Sequence, residues 1–288
     1  MNLMNSFKVP MWDKMQFFCK NISDHQIRFV VHFDTFLDLE LLKNAIQITI
    51  EDNPITFASY VENNNEVLWE FSESEIEKVF SFYECEEPTQ LIHEKLISKL
   101  NTYSGPQLKL NLIRSKTDSL ILNCDHTIAD AAGVKDFMYQ LAENYCILSQ
   151  NQSVQKRSYK PNRSLKLLSN KIGLQEKLSI LKATLSNKKD APTFSRPVDL
   201  NNLGNPGFRK LTIKSEDFDK IKRFGKKHSA TVNDMLLTIY FFTLQKVFGN
   251  SNKTNRLTYS SDLRAYLDNY ETLSNFSAIH NIDMRIKS

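Results

Sequence analysis

A histidine, an aspartate and a glycine stand at a spacing that could support proton transfer. His126 is followed by Asp130 after four residues and by Gly133 three residues later. Imidazole is the side chain best suited to take a proton near neutral pH. A histidine that ends a strand and turns at once into a helix lies at a sheet edge, where a substrate can reach it. The spacing therefore makes His126 a candidate general base.

The segments on either side of His126 predict the elements that would position it. The short apolar run Leu120–Leu122 predicts a strand that leads into the histidine. Beyond Gly133, apolar residues recur at helical spacing, at Val134, Phe137, Met138, Leu141 and Tyr145. We therefore expect a strand, a turn that carries His126, and an amphipathic helix. The same pattern also allows a structural interpretation, with a buried histidine bound to backbone and Asp130 as the helix N-cap.

Strands and helices alternate along the chain, and this pattern predicts an α/β fold. Hydrophobic alternation predicts a strand at Gln26–Phe33, and Leu37-Asp38 starts a helix. A hairpin is expected from Ile55–Val61 and Val67–Phe71. Further strands are predicted at Gln107–Ile113, Ser119–Asn123, Phe208–Lys214 and Arg256–Ser261. Because hairpins occur among the alternating elements, we expect a mixed sheet.

The composition changes after Leu148 and divides the chain into three segments. Residues 1–148 are predicted to form an N-terminal lobe that carries His126. Residues 149–206 are polar at first and contain several prolines later, which indicates a linker and crossover. Residues 207–288 are predicted to form part of a C-terminal lobe. A chain of 288 residues is long enough for two such cores.

Composition argues against several classes of function. The net charge is only +4, and the basic runs lack interleaved aromatic residues, so we expect no nucleic-acid partner. Neither glycine-rich phosphate-binding motif is present, and no histidine pair has metal-ligand spacing. A nucleotide-phosphate loop and a metal site are therefore not expected.

The sequence also bears on the compartment. The four cysteines form no C-x-x-C pair and show no disulfide-like spacing, which fits a reducing compartment. No apolar run approaches the ~18 residues that a membrane span needs, and the first residues do not resemble a signal peptide. We expect a cytoplasmic protein without a membrane span.

Five segments, in order along the chain, resemble the CoA-dependent acyltransferase superfamily. That group includes the condensation domains of peptide synthetases, the plant BAHD acyltransferases and the alcohol acetyltransferases. The segments are Leu37–Ile46, Phe57–Trp69, Asp125–Gly133, His228–Asp234, and Ser261–Arg264 followed by Asn275-Phe276. The resemblance covers essentially the whole chain and implies a chloramphenicol-acetyltransferase-like fold of two lobes with mixed sheets.

The resemblance implies a reaction and a role for each site residue. An acyl group would move from a thioester, either acyl-CoA or an acylated carrier protein, to a small-molecule hydroxyl or amine. His126 is implied to be the general base, and Asp130 is implied to pair with Arg264 and so fix the loop. Gly133 would allow a close approach of chain or ligand. The thioester is a co-substrate, and no bound cofactor or metal is implied.

The sequence departs from the family pattern at three points. Asp125 precedes His126 where peptide-synthetase condensation domains carry a second histidine, and Ala131 follows Asp130 where many members carry glycine. The chain also stops at Ser288, about halfway through the second lobe of the family fold. We therefore expect an incomplete second lobe, in a fragment, a degenerate relative or a chain that a missing C-terminal partner completes. The helix that starts at Thr231 is apolar on most faces, so self-association is expected if one face stays bare.

Two other interpretations of the function stay open at this point. The chain could be a non-catalytic scaffold or binding module that keeps the fold without turnover. It could also be a condensation domain of a peptide synthetase, although the lone histidine and the lack of carrier or adenylation segments argue against this.

Overall fold

The structure of the chain is a computed structural model, which describes part of its residues. These residues are 6–20, 24–63, 66–155, 163–164, 166, 171, 173, 175, 210–248, 255–267, 270 and 272–284. The chain divides into two compact units, which we call the first and the second unit. The first unit comprises Met1–Ile172 and Asp262–Ser277, and the second comprises Gly173–Ser261 and Ala278–Ser288. Most of the predicted linker, residues 149–206, lies outside the described residues, so the predicted lobe boundaries stay a prediction.

The helices and strands alternate along the chain. The strands are β1 (Ser6–Lys8), β2 (Gln26–His32), β3 (Ala58–Asn63), β4 (Glu66–Phe71), β5 (Phe80–Glu84), β6 (Leu108–Arg114), β7 (Asp118–Asp125), β8 (Asn255–Asp262) and β9 (Ser277–Met284). The helices are α1 (Met11–Cys19), α2 (Leu39–Glu51), α3 (Ile76–Val79), α4 (Pro88–Ile97), α5 (Ala131–Ser149), α6 (Ser215–Lys227) and α7 (Val232–Phe248). Two short 3-10 turns cover Pro54–Phe57 and Arg264–Tyr266.

A four-stranded mixed sheet forms the centre of the first unit. Its strand order is β2-β7-β6-β5. Strands β5 and β6 run parallel, whereas β7 is antiparallel to both of its neighbours. Every residue of β7 is buried, so the strand that leads to His126 is held rigidly inside the sheet. The predicted mixed sheet is therefore confirmed.

The predicted hairpin is present in a second, antiparallel sheet with the order β1-β4-β3. The first strand of the hairpin, β3, is shorter than predicted, because Pro54–Phe57 forms a 3-10 turn and β3 starts only at Ala58. Proline has no N–H and a fixed φ, which suits the first turn of a helix better than a strand. The prediction that the strand begins at Ile55 is therefore wrong by three residues.

Helices α2 and α5 pack against each other through apolar residues and a few buried polar pairs. Asp38 caps α2, as its carboxylate accepts a hydrogen bond from Leu41 N at 2.9 Å. Between the helices, Asn144 Nδ2 donates to Thr49 Oγ1 at 2.9 Å. Because these polar groups are buried and paired, they fix how α5 packs in the core.

The second unit contains α6, α7 and most of the two-stranded sheet β8-β9. Thr231 and Asp234 form a capping box at the start of α7: Asp234 N donates to Thr231 Oγ1 at 3.2 Å, and Thr231 N donates to Asp234 Oδ2 at 2.8 Å. This helix start agrees with the prediction. The predicted strand Phe208–Lys214 is wrong for its described part, because residues 210–214 have no regular structure. Leu211 is 89% exposed there, so alternation of apolar residues was not enough to make a strand.

Over the described ranges, no helix is long and apolar enough to cross a membrane.

Candidate active site

His126 lies in the turn that directly follows β7. Its backbone N donates to His25 O at 3.1 Å, one residue beyond the last pair of the β2-β7 ladder, Gln26 with Asp125. The His126 side chain is half-buried. Its Nδ1 atom is buried and has no hydrogen-bond partner among the described residues. The imidazole therefore stands at the end of the central strand β7, directly after it as the sequence predicts.

Asn275 holds the backbone of the histidine turn. Its side-chain Nδ2 donates to His126 O at 3.1 Å and to Thr127 O at 2.9 Å. The same nitrogen lies 3.1 Å from Asp13 Oδ1, which also accepts from it. One buried amide thus links two carbonyls of the turn to a carboxylate on α1.

The next carbonyl of the turn is held by Arg163. Its Nη2 donates to Ile128 O at 2.5 Å and to Asp13 Oδ2 at 2.9 Å, and its Nη1 donates to Leu273 O. Arg163 Nε and Trp69 Nε1 also donate to Asp13 Oδ2, each at 3.1 Å. Burial raises the pKa of Asp13, and the arginine, amide and indole donors oppose that shift. Asp13 and its partners therefore form one buried network beneath the turn.

Asp125 has a structural role in the same turn. Its Oδ1 accepts from Thr127 N at 2.8 Å, and its Oδ2 accepts from the hydroxyl of Thr102. The residue that directly precedes His126 is therefore a buried cap of the turn.

Asp130 is the N-cap of α5, and its carboxylate is saturated by protein donors. Its Oδ1 accepts from Gly133 N at 2.9 Å, and its Oδ2 accepts from Phe276 N and Ser277 Oγ, each at 2.8 Å. Arg264 Nη1 lies 2.7 Å from Oδ1, which is the contact that the family resemblance implies. With both oxygens engaged, Asp130 is suited to anchor the loop.

Arg264 reaches several groups besides Asp130. Its Nη2 donates to Ser274 O at 2.7 Å, and its Nη1 lies 3.2 Å from Asp262 Oδ1. The guanidinium also stands over the rings of Tyr270 and Phe276, at 5.5 and 5.6 Å from their centroids. This arginine therefore brings Asp262, Tyr270, Ser274 and Phe276 together near the start of α5.

Gly133 is where these groups approach α5 most closely. A Cβ at this position would lie 2.8 Å from Arg264 Nη2, 2.8 Å from Thr272 O and 3.0 Å from Ser274 O. The sequence predicts that chain or ligand approaches Gly133 closely. In the structure, other parts of the protein chain make this approach.

Sequence reasoning missed three members of the site: Asp13, His25 and Arg163. Asp13 gave a signal, because it is a lone carboxylate within the largely apolar segment Met11–Cys19. His25 could have been found from strand pairing, since it directly precedes β2 and lies opposite His126. Arg163 gave no local signal, as its partners are distant in sequence. Among the described residues, no group of three His, Cys, Asp or Glu could hold a metal ion.

Comparison with known proteins assigns the chain to a family. The model of the condensation domain matches residues 11–258. The first condensation domain of the calcium-dependent antibiotic synthetase, in complex with substrate analogue 3a, superposes with a TM-score of 0.77 at 12% identity, over 99% of this chain and 71% of that chain. Polyketide synthase associated protein 5 from Mycobacterium tuberculosis gives a TM-score of 0.72 at 14% identity, over 97% and 68% of the two chains.

The fold is shared with proteins of different activities. The epimerization domain from the third module of tyrocidine synthetase B gives a TM-score of 0.68 at 14% identity, over 98% of this chain and 68% of that chain. No curated protein matches the sequence. The structural matches confirm the predicted chloramphenicol-acetyltransferase-like α/β fold. Because the family model spans well over half of the residues, the chain belongs to the condensation-domain family of the CoA-dependent acyltransferase superfamily.

Proposed function

We propose that this chain is an acyltransferase in which His126 is the general base. The acyl donor is a thioester, either acyl-CoA or an acylated carrier protein, and the acceptor is a hydroxyl or an amine. Condensation domains act on carrier-bound substrates in acyl transfer and peptide-bond formation, which supports the reaction class. Because the thioester supplies the activated acyl group, the reaction needs no bound cofactor or metal.

The observation that carries this proposal is how the His126 turn is fixed. Its backbone N and O are both held, by His25 O and Asn275 Nδ2, while its ring is only half-buried. A general base works when its nitrogen is kept at hydrogen-bond distance from the proton that it removes. A fixed backbone with a partly accessible ring meets that requirement.

The proton transfer follows from which ring nitrogen of His126 the acceptor can reach. Nδ1 of His126 is buried, so Nε2 takes the proton from the acceptor as its oxygen or nitrogen attacks the thioester carbonyl. A new carbon–oxygen or carbon–nitrogen bond forms and the carbon–sulfur bond breaks. The thiolate leaves and accepts the proton that His126 carried. Asp130, with both oxygens bonded to the protein, keeps α5 and the turn in place throughout.

A second candidate is a non-catalytic binding module, and one observation favours it. Catalytic bases are commonly oriented by a third group, and Nδ1 of His126 has no such partner within the described part of the chain. The presence or absence of turnover separates the two candidates.

The test is thiol release from purified protein. The chain is mixed with acetyl-CoA, longer acyl-CoAs or acyl-N-acetylcysteamine thioesters and a panel of amines and alcohols, and free thiol is measured. We expect His126→Ala to lower the rate by about 10²–10⁴-fold. His93→Ala, on the exposed side of α4, is the matched control and should leave the rate unchanged.

Folding is checked on the same variants by circular dichroism and thermal unfolding. A folded His126→Ala variant that keeps the wild-type rate contradicts the role of His126. A wild-type chain that binds thioesters without releasing thiol favours the binding module.

A further inference from the structure

We propose that His25 is a positioning residue that stays neutral in the stacked pair His25–His126, so that the proton taken up during the reaction resides on His126 alone. The inference rests on the proposed role of His126 as the base. It assigns a function to a residue that lies outside the His126–Asp130–Gly133 motif.

The two imidazoles are held face to face. Their ring centroids are 4.8 Å apart and their planes differ by 18°. The contact is built into the backbone, because His126 N donates to His25 O at 3.1 Å, directly beyond the β2-β7 ladder. Neighbouring residues at such a position on adjacent strands have side chains in contact. His25 therefore limits the rotation of the His126 ring.

Gln16 fixes the ring of His25 from helix α1. His25 Nε2 lies 2.6 Å from Gln16 Oε1. An amide oxygen only accepts hydrogen bonds, so His25 Nε2 is the donor and carries a hydrogen. The ring of His25 is thus held by its stacking on His126 and by this amide.

The surroundings of His25 disfavour its cationic form. Burial is the first cause, and the charge of His126 is the second, and together they lower the pKa of His25 to about 4. Lys20 acts in the same direction, whereas the carboxylates of Asp125 and Asp24 oppose it. Near neutral pH, His25 is therefore neutral and the pair holds at most one proton.

A neutral neighbour is what a base in this position requires. When His126 takes the acceptor's proton it becomes an imidazolium, and a second cation 4.8 Å away would oppose that step. A neutral ring stacked on the cation is favourable by comparison. The pair thus favours proton uptake by His126 as long as His25 stays neutral.

The test is to make His25 basic without changing its shape. Gln16→Glu is nearly isosteric and places a carboxylate at the His25 Nε2 atom. An opposite charge at this distance raises a histidine's affinity for protons, so NMR should show the His25 titration midpoint rising by about 1 pH unit or more. The acidic limb of the kcat/KM profile should then move to higher pH, with the wild-type rate restored at alkaline pH. A change that only loosened the structure would lower the rate at every pH.

Two further variants control this result. His25→Phe keeps an aromatic ring that cannot be protonated, so the double variant Gln16→Glu/His25→Phe should lose the shift of the acidic limb. Gln152→Glu makes the same change of charge at an exposed glutamine and should alter neither the midpoint nor the profile. A raised His25 midpoint with an unmoved acidic limb overturns the proposal.

One measurement needs no substrate and separates this inference from the proposed function. Coupling between two titrating groups is reciprocal, so His126→Phe should raise the His25 midpoint from about 4, because the repulsion by His126 is removed. An unchanged midpoint overturns the coupling even if acyl transfer is observed. If instead the midpoint moves and no thiol is released from any thioester, the proposed function fails while the coupling of the pair stands.

Discussion

Arg264 and Asp130 form an ion pair between two buried side chains. Arg264 Nη1 lies 2.7 Å from Asp130 Oδ1, and each side chain retains only 4% of its exposure. The other carboxylate oxygen accepts from Phe276 N and Ser277 Oγ. This arrangement ties Arg264, Phe276 and Ser277 to the first turn of α5, immediately after the histidine turn.

Breaking this pair should cost stability. Asp130→Ala and Arg264→Ala should each lower the free energy of unfolding by about 3–5 kcal/mol, because each removes the nearest opposite charge from a buried side chain. The double variant should lose less than the sum of the two single losses. Urea unfolding of the wild type and the three variants measures this coupling.

An exposed pair in α6 is the control. Lys220 Nζ lies 2.9 Å from Asp217 Oδ1, and both side chains are mostly solvent-exposed. A double-mutant cycle on that pair should give no more than about 1 kcal/mol. If the Asp130–Arg264 coupling is as small as this control, the buried pair does not anchor the loop.

Gly133→Ala should be destabilising, although this change inside a helix normally stabilises by about 0.5–1 kcal/mol. The added Cβ would meet Arg264 Nη2 and Thr272 O at 2.8 Å, and backbone atoms cannot move away cheaply. We expect a loss of about 1–3 kcal/mol, as for other overpacked sites. Thermal unfolding measures it, with Lys135→Ala on an exposed position of α5 as the control. A Gly133→Ala variant that is more stable than the wild type contradicts the packing described here.

The sequence predicted the local part of this site well. The β7 strand, the turn with His126 and helix α5 follow from a short apolar run and a helical repeat, which depend on neighbouring residues alone. The capping of α7 by Thr231 is predictable for the same reason. In contrast, the strand predicted at Phe208–Lys214 did not form over its described part, because a strand also needs a partner.

The long-range part could not be predicted from local patterns. Asp13, Arg163 and Asn275 meet beneath the turn, although each is more than a hundred residues from the next. Helix α1, which carries Asp13, is only nine residues long and was not predicted. Strand β5 was also missed; it pairs in parallel with β6, the next strand, from which helix α4 separates it in the sequence. Such contacts depend on the packing of the whole unit.

The contacts of Asn275 predict which of two substitutions at this position destabilises the protein more. Asn275→Ala removes the donor to His126 O and Thr127 O and should cost about 1–3 kcal/mol for the unpaired buried groups. Asn275→Asp should be worse than Asn275→Ala at neutral pH, because a carboxylate would face two carbonyls and Asp13. Chemical unfolding compares the two variants, and Asn63→Asp at an exposed position of β3 is the control. An Asp variant as stable as the wild type contradicts this role of Asn275.

The apolar surface of α7 predicts self-association of the purified chain. Four of its large apolar side chains are half or more exposed: Leu236 (50%), Ile239 (54%), Phe242 (55%) and Val247 (65%). Exposed apolar patches of a few hundred Å² mark interaction sites in soluble proteins. Covering such a patch is favourable by about 25 cal/mol per Å². Light scattering should therefore show species larger than a monomer, and their fraction should rise with protein concentration.

Charged substitutions on this helix test the cause of the association. Ile239→Lys and Phe242→Glu place charges on the exposed positions and should shift the protein towards the monomer without lowering its melting temperature. Phe241→Glu changes the neighbouring buried residue, which is only 1% exposed, and should instead destabilise the second unit. The comparison thus separates surface association from unfolding. A wild-type chain that stays monodisperse and monomeric at high concentration would show that exposed apolar side chains on α7 do not drive contact between copies.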